Sequence, residues 1–97
     1  MVKEIVWSEK SISTFERVIQ YLNEEWTEKE VVNFILETER VIEFISEHPY
    51  IFRDTKYHGI KEALVTPHNL LVYKIESEKI ILITFWDTRQ NPKRKKH

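Results

Sequence analysis

Two apolar segments, Asn69–Ile75 and Lys79–Trp86, meet across the short polar stretch Glu76-Ser-Glu-Lys79. No other feature of the chain constrains the fold as much. Strand-forming runs joined by so tight a connection pair as an antiparallel hairpin. In the second strand, strict alternation sends Ile80 and Leu82 to one face and Ile81, Ile83 and Phe85 to the other. Apolar residues on both faces mark a central strand covered on both sides. The strand runs straight into Asp87-Thr-Arg-Gln-Asn-Pro92, which puts charged side chains at the rim of the sheet.

The rest of the chain supplies what packs on that hairpin. Lys3–Trp7 alternates, with Ile5 and Trp7 on one face and Val6 on the other, and reads as a short strand. Ser8 or Ser11 caps a helix whose apolar face is Ile12, Phe15, Val18, Ile19, Leu22 and Trp26. Thr27-Glu-Lys-Glu30 is a capping box and starts a second helix. Its stripe is Val31, Phe34, Ile35, Thr38, Val41, Ile42 and Ile45, and Pro49 ends it, because the residue before a proline is pushed out of helical geometry. Two amphipathic helices with almost no linker fold back as an antiparallel hairpin. Phe52–Tyr57 reads as a connection, and Ile60–Val65 as a strand closed by Thr66-Pro67.

The order β-α-α-β-β-β predicts an α+β fold: an N-terminal strand, then a helical hairpin packed on one face of a mainly antiparallel sheet. Two helices cover one face only. The second face then needs the C-terminal segment, a second copy or a partner protein. The alternative is that the face assignment slips by one residue.

Composition excludes several classes. A chain of 97 residues makes one domain, taken as residues 1–92 with a basic tail at 93–97. Residues 1–92 carry 11 basic against 16 acidic side chains, a net charge of −5, while Lys93, Arg94, Lys95 and Lys96 hold four of the 15 basic residues. Nucleic-acid-binding modules show a basic face and a high pI; here the pI is about 6.4. Without cysteine there is neither disulfide nor thiolate chemistry, and neither cofactor nor metal is expected. A lone glycine, Gly59, leaves no Gly-rich phosphate loop. Neither a signal segment nor an apolar run of about 18 residues is present, so a cytoplasmic protein without membrane contact is expected.

The ordered set of Ile5-Val-Trp-Ser8, Phe15, Tyr21-Leu22, Trp26, the Phe34–Ile45 helix with Pro49, Lys61-Glu-Ala-Leu64, Leu71-Val-Tyr73-Lys-Ile75 and Phe85-Trp-Asp-Thr-Arg-Gln-Asn-Pro92 resembles the RelE/ParE superfamily. These are toxins of type II toxin–antitoxin systems, also described as plasmid stabilisation proteins. The resemblance spans about Lys3 to Pro92 and implies the α+β fold derived above. It implies one of two activities: ParE-like binding to DNA gyrase without catalysis, or RelE-like cleavage of mRNA on the ribosome by a metal-independent endoribonuclease. On either reading a cognate antitoxin is the partner, and free toxin is a monomer or a homodimer.

Cleavage through the RNA 2′-hydroxyl requires a base, an acid and cations that stabilise the phosphorane. The resemblance sets Arg89 and Lys61 at or near basic positions of the nucleases, and His68 is the candidate acid or base because histidine titrates near neutral pH, but Leu70 stands where the nucleases often carry arginine, three residues before Tyr73. Leucine cannot stabilise a phosphorane, and the acidic body opposes approach to dense phosphate. The expected activity is therefore that of a protein-binding, ParE-like toxin, with Tyr73, Trp86, Asp87 and Arg89 as contact candidates. Each has a plainer reading: Tyr73 and Trp86 as packing, Asp87 with Arg89 as a rim ion pair, Lys61 as a solvated strand residue and His68 as a turn residue. Glu39, Glu43 and Glu47 repeat along the second helix as a solvated face or as a receptor for a basic antitoxin segment.

Overall fold

The computed structural model describes residues 2–90, so Asn91-Pro92 and the basic tail 93–97 lie outside the described residues. The elements are β1 (Glu4–Trp7), α1 (Glu9–Glu25), α2 (Glu28–Glu47), β2 (Ile60–Thr66), β3 (Asn69–Glu76), β4 (Lys79–Asp87) and a 3-10 turn, Thr88–Gln90. The strands line up as β1-β4-β3-β2. Only β1 and β4 run parallel. No helix among the described residues is long and apolar enough to cross a membrane.

Both helices start where the capping chemistry dictates. Ser8 is extended, and its Oγ accepts the Ser11 N–H at 3.0 Å. Thr27 Oγ1 accepts the Glu30 N–H at 3.2 Å. Each bond satisfies a donor that the first helical turn leaves orphaned. At the far end of α2 the cap is His48, the residue before Pro49.

The core lies between the helical hairpin and one face of the sheet. Val18 and Leu22 from α1 and Phe34 and Ile45 from α2 pack over Ala63, Val65, Leu71, Tyr73, Ile80, Leu82 and Phe85. Burying one such aliphatic or aromatic side chain is worth roughly 1.5–3 kcal/mol. The aromatic part of this core is continuous: Phe85 lies 5.5 Å from Trp7, 5.1 Å from Phe15 and 6.2 Å from Phe34, centroid to centroid.

Two assignments made by periodicity alone are corrected. Phe85 does not share a face with Ile81 and Ile83; it lies with Ile80 and Leu82 under the helices. The cause is a β-bulge. Thr84 pairs with Val72 but Leu82 pairs with Tyr73, leaving Ile83 as an extra residue that resets the alternation. The bulge sits where β1 has ended, and α1 takes over the exposed edge of β4. Thr14 Oγ1 accepts the Phe85 N–H at 2.9 Å and donates to the Lys10 carbonyl at 2.7 Å.

That contact explains the second correction. The buried side of α1 carries Ser11 and Thr14, while Ile12 and Trp26, expected in the stripe, are exposed. The stripe of α2 from Val31 to Ile45 does face inward.

Helices cover one face of the sheet. On the other face, Leu64 and Trp86 are exposed, and Leu70, Val72, Ile81 and Ile83 are half-buried. The outer edge of β2 is partly occupied by the connection after α2: Glu62 N–H donates to the Arg53 carbonyl and Thr55 N–H donates to that of Ile60. A loop laid on a strand edge blunts uncontrolled pairing.

Candidate functional site

The C-terminal end of β4 builds a polar cluster inside the rim. Asn69 and Asp87 face each other across β3 and β4, and Asn69 Nδ2 donates to Asp87 Oδ2 at 2.8 Å. Thr66 Oγ1 closes the other side of Asn69, donating to Oδ1 at 2.6 Å. Asp87, fully buried, accepts from Arg89 three times: from its backbone N–H at 2.8 Å, Nε at 3.1 Å and Nη2 at 3.0 Å. Arg89 Nη2 also lies 3.7 Å from Glu30, and its guanidinium carbon is 4.4 Å from the centre of the Trp26 ring. A two-pronged guanidinium–carboxylate pair stacked on an indole is among the stronger surface clasps available.

The titration of Asp87 follows from this geometry. Burial opposes its charged form, but the hydrogen bonds from Arg89 and Asn69 and the Arg89 charge outweigh it, holding the carboxyl below its ordinary range. Arg89 is pushed up by the same hydrogen bonds. The cluster joins the last strand to the junction of the two helices. It is a structural clasp in which the guanidinium is already spoken for.

The remaining cationic candidates lie apart from it. Lys61 faces the helical side, opposite Tyr73, and its Nζ donates to the Phe52 carbonyl and to Asp54 Oδ1, both at 2.9 Å. Lys61 and the Gly59 N–H in turn lower the Asp54 pKa. From Lys61 to Thr66 is five residues of extended strand, about 17 Å, so Lys61 sits at the opposite end of β2 from the clasp. His68 is exposed in the β2–β3 turn at the clasp end, where its carbonyl accepts the Thr88 N–H at 2.8 Å. The fold thus brings the His68 backbone to the strand end that carries Arg89, through Thr88, and leaves Lys61 at the other end.

Among the protein-contact candidates, Tyr73 is fully buried. Its hydroxyl donates to the Pro49 carbonyl at 2.9 Å, and burial, helped by the Asp54 charge, raises its pKa to about 12. No surface of Tyr73 is offered to a partner. Trp86 is 40% exposed and points to the open face. There it begins a row that inspection of residue types passed over. Leu70 is opposite Trp86, and Leu64 is opposite Leu70. Beyond Leu64 lies a groove of 510 Å³ lined by Ile51, Phe52, Arg53, Glu62, Leu64 and Leu70. Plain hairpin register would set Leu70 opposite Phe85; the bulge at Ile83 moves it to Trp86, so neither this step nor the connection folding back on β2 was readable in the sequence. Leu70 therefore does more than lack a charge: it is the middle of an apolar row. Among the described residues, no group of three or more His, Asp or Glu side chains is gathered as a metal site would require.

Comparison with solved structures agrees with this architecture. The toxin–antitoxin structure titled "Chromosomal ParDE TA system from P. aeruginosa" superposes with a TM-score of 0.74 at 6% identity, over 89% of this chain and 96% of that one. The YoeB/ParE toxin from Agrobacterium tumefaciens gives 0.64 at 12% identity, over 87% and 96%. The Escherichia coli DinJ-YafQ toxin–antitoxin complex gives 0.61 at 9% identity, over 92% and 96%. At such identities the likeness establishes the fold alone. A search among curated proteins finds no match. Residues 5–92 match the family model described as ParE toxin of type II toxin-antitoxin system, parDE. With nearly the whole chain covered by that match, and its helical hairpin on a four-stranded mixed sheet shared with solved toxins, the protein belongs to the ParE toxin family of type II toxin–antitoxin systems.

Proposed function

We propose that this toxin arrests growth in the ParE manner, by binding a protein target, DNA gyrase, and that a cognate antitoxin neutralises it by covering the open side of the sheet. The observation that carries this reading is the fate of the cationic positions a nuclease would need. Leu70 sits in an apolar row, Lys61 is held by Asp54 at the far end of β2, and Arg89 is held by Asp87. Stabilising a phosphorane requires cations aimed at one point; an apolar row with charges at its margins suits a protein surface.

Purified toxin added in excess to gyrase and relaxed plasmid is expected to suppress supercoiling while leaving transcripts intact in arrested cells. Normal supercoiling would remove the gyrase reading. That His68 and Arg89 lie at the same end of the sheet, joined through the Thr88–His68 hydrogen bond, is the one observation on the side of the ribosome-dependent endoribonuclease. That alternative predicts discrete cuts in translated messages, abolished by Arg89→Ala in a chain that still folds.

A further inference from the structure

Resting on the gyrase reading above, we propose that the solvent side of α2 is the surface that engages gyrase. It takes a cationic patch of the enzyme with an apolar side chain beside it. The two partners then meet opposite sides of the toxin, the antitoxin the sheet and the target the helices.

The surface is a single stripe. Val32, Leu36, Glu39, Glu43 and Glu47 follow one another at steps of three and four residues, the repeat of one helical face. All five are exposed. At about 1.5 Å per residue the stripe runs about 22 Å along α2. Its first turn is apolar, with Val32 50% and Leu36 54% exposed. The remainder is anionic.

The free toxin holds that charge against its own interest. Glutamates four residues apart on a helix repel one another. Glu47 also adds negative charge to the negative end of the helix dipole, where the last turn holds no basic residue. Among the described residues, no ion pair is recorded for Glu39, Glu43 or Glu47. Arg40 is taken up by Glu37 at 3.4 Å, and Lys29 stands at the other end of the helix. Charge that the fold leaves uncompensated is complementary to cations from outside.

Charge also selects the occupant. Gyrase acts on DNA and therefore offers Lys and Arg side chains to phosphate; the same positive surface complements the stripe. Val32 and Leu36 supply the apolar contact that an interface centre needs. A second copy of this chain is disqualified. Laid antiparallel, the stripe would set glutamate against Leu36 and Glu39 against Glu39; laid parallel, glutamates against glutamates. Residues 93–96 of the chain itself are cationic but bring no apolar side chain to Val32 and Leu36.

The test measures affinity of the full-length toxin for purified gyrase and, separately, for the antitoxin encoded with it. The triple variant Glu39→Gln, Glu43→Gln, Glu47→Gln is expected to bind gyrase about 10-fold more weakly, and Leu36→Ser to show a similar loss. Raised salt is expected to weaken the parent's binding to gyrase more than that of the triple variant. The triple variant is expected to unfold at a higher temperature than the parent, because repulsion is relieved, and both variants to bind antitoxin as the parent does. A more stable toxin with a weaker grip on its target is an outcome that a merely solvated helix face does not give.

Parent-like gyrase binding by the triple variant and by Leu36→Ser would overturn the site while leaving the gyrase reading in place. Absence of any gyrase binding by the parent would overturn both. Weakened antitoxin binding by the two variants, with gyrase binding intact, would make the antitoxin the occupant and overturn the proposal. Tighter gyrase binding after changing Lys93, Arg94, Lys95 and Lys96 together to serine would show that the chain's own cations hold the stripe, and would overturn it as well.

Discussion

The two faces of this sheet are built from the same strands and finished in opposite ways. On one, Leu71, Tyr73, Ile80, Leu82 and Phe85 are sealed under two helices. On the other, Leu64, Leu70, Val72, Ile81, Ile83 and Trp86 keep part of their surface in solvent. Charge divides along the same line. The helices carry ten glutamates against four basic residues. Residues 1–92 hold 16 acidic and 11 basic side chains, so the sheet and its connections retain six acidic and seven basic. The negative body is thus a negative helical layer, while the sheet and its connections taken together are close to neutral. One face is closed by packing, and the other exposes an apolar row edged by Arg53 and Glu62, the kind of surface that suits a protein partner.

Phe85 and Trp86 offer the sharpest way to break this contrast, because one peptide bond separates a sealed side chain from an offered one. Phe85→Ala removes the ring at the centre of the aromatic core, and urea denaturation is expected to show a loss of about 3–5 kcal/mol. Trp86→Ala is expected to change stability by less than about 1 kcal/mol while reducing affinity for the antitoxin. Equal losses of stability from the two would mean that the open face is part of the core.

The clasp is expected to give the next largest effect. Asp87→Asn leaves Arg89 without its carboxylate, at a cost of about 2–4 kcal/mol. The pH dependence has a definite sign. The folded-state pKa of Asp87 is lowered, so its contribution is fully present above the unfolded value of about 3.9. It is lost as pH falls through the lower folded value. Stability measured against pH should therefore have a shallower acid limb in Asp87→Asn; an unchanged limb would show that the clasp adds nothing.

Smaller still is the bulge. Thr14→Val keeps the shape of the side chain and removes the acceptor for the Phe85 N–H, with an expected cost of about 1–3 kcal/mol. A neutral result would mean that this donor finds another partner.

How far these features were legible in the chain depended on how local their causes are. The caps at Ser8 and Thr27, the helix end before Pro49 and the hairpin around Glu76–Lys79 each arise within a few residues, and inspection found them. The face of Phe85 was misassigned because one inserted residue, Ile83, inverts everything after it, and that insertion is imposed by pairing with Val72 and Tyr73. Arg89 was recognised as a rim cation with Asp87 beside it. That Trp26 and Glu30 complete its surroundings has no local signal, since they stand 63 and 59 positions away in the numbering. Lys61 was weighed as a nuclease cation without any indication that the connection after α2 would bring Asp54 to it.

By itself the amino-acid order determined the element sequence, the hairpin of helices and the single covered face, because periodicity, capping and turn chemistry act between near neighbours. Only the tertiary structure decided which side chains the two faces present, that Arg89 is clasped and Lys61 engaged, and that Trp86, Leu70 and Leu64 form a row leading to the Ile51 groove. These depend on register and on contacts between distant segments, and a shift of one residue in either reverses the outcome.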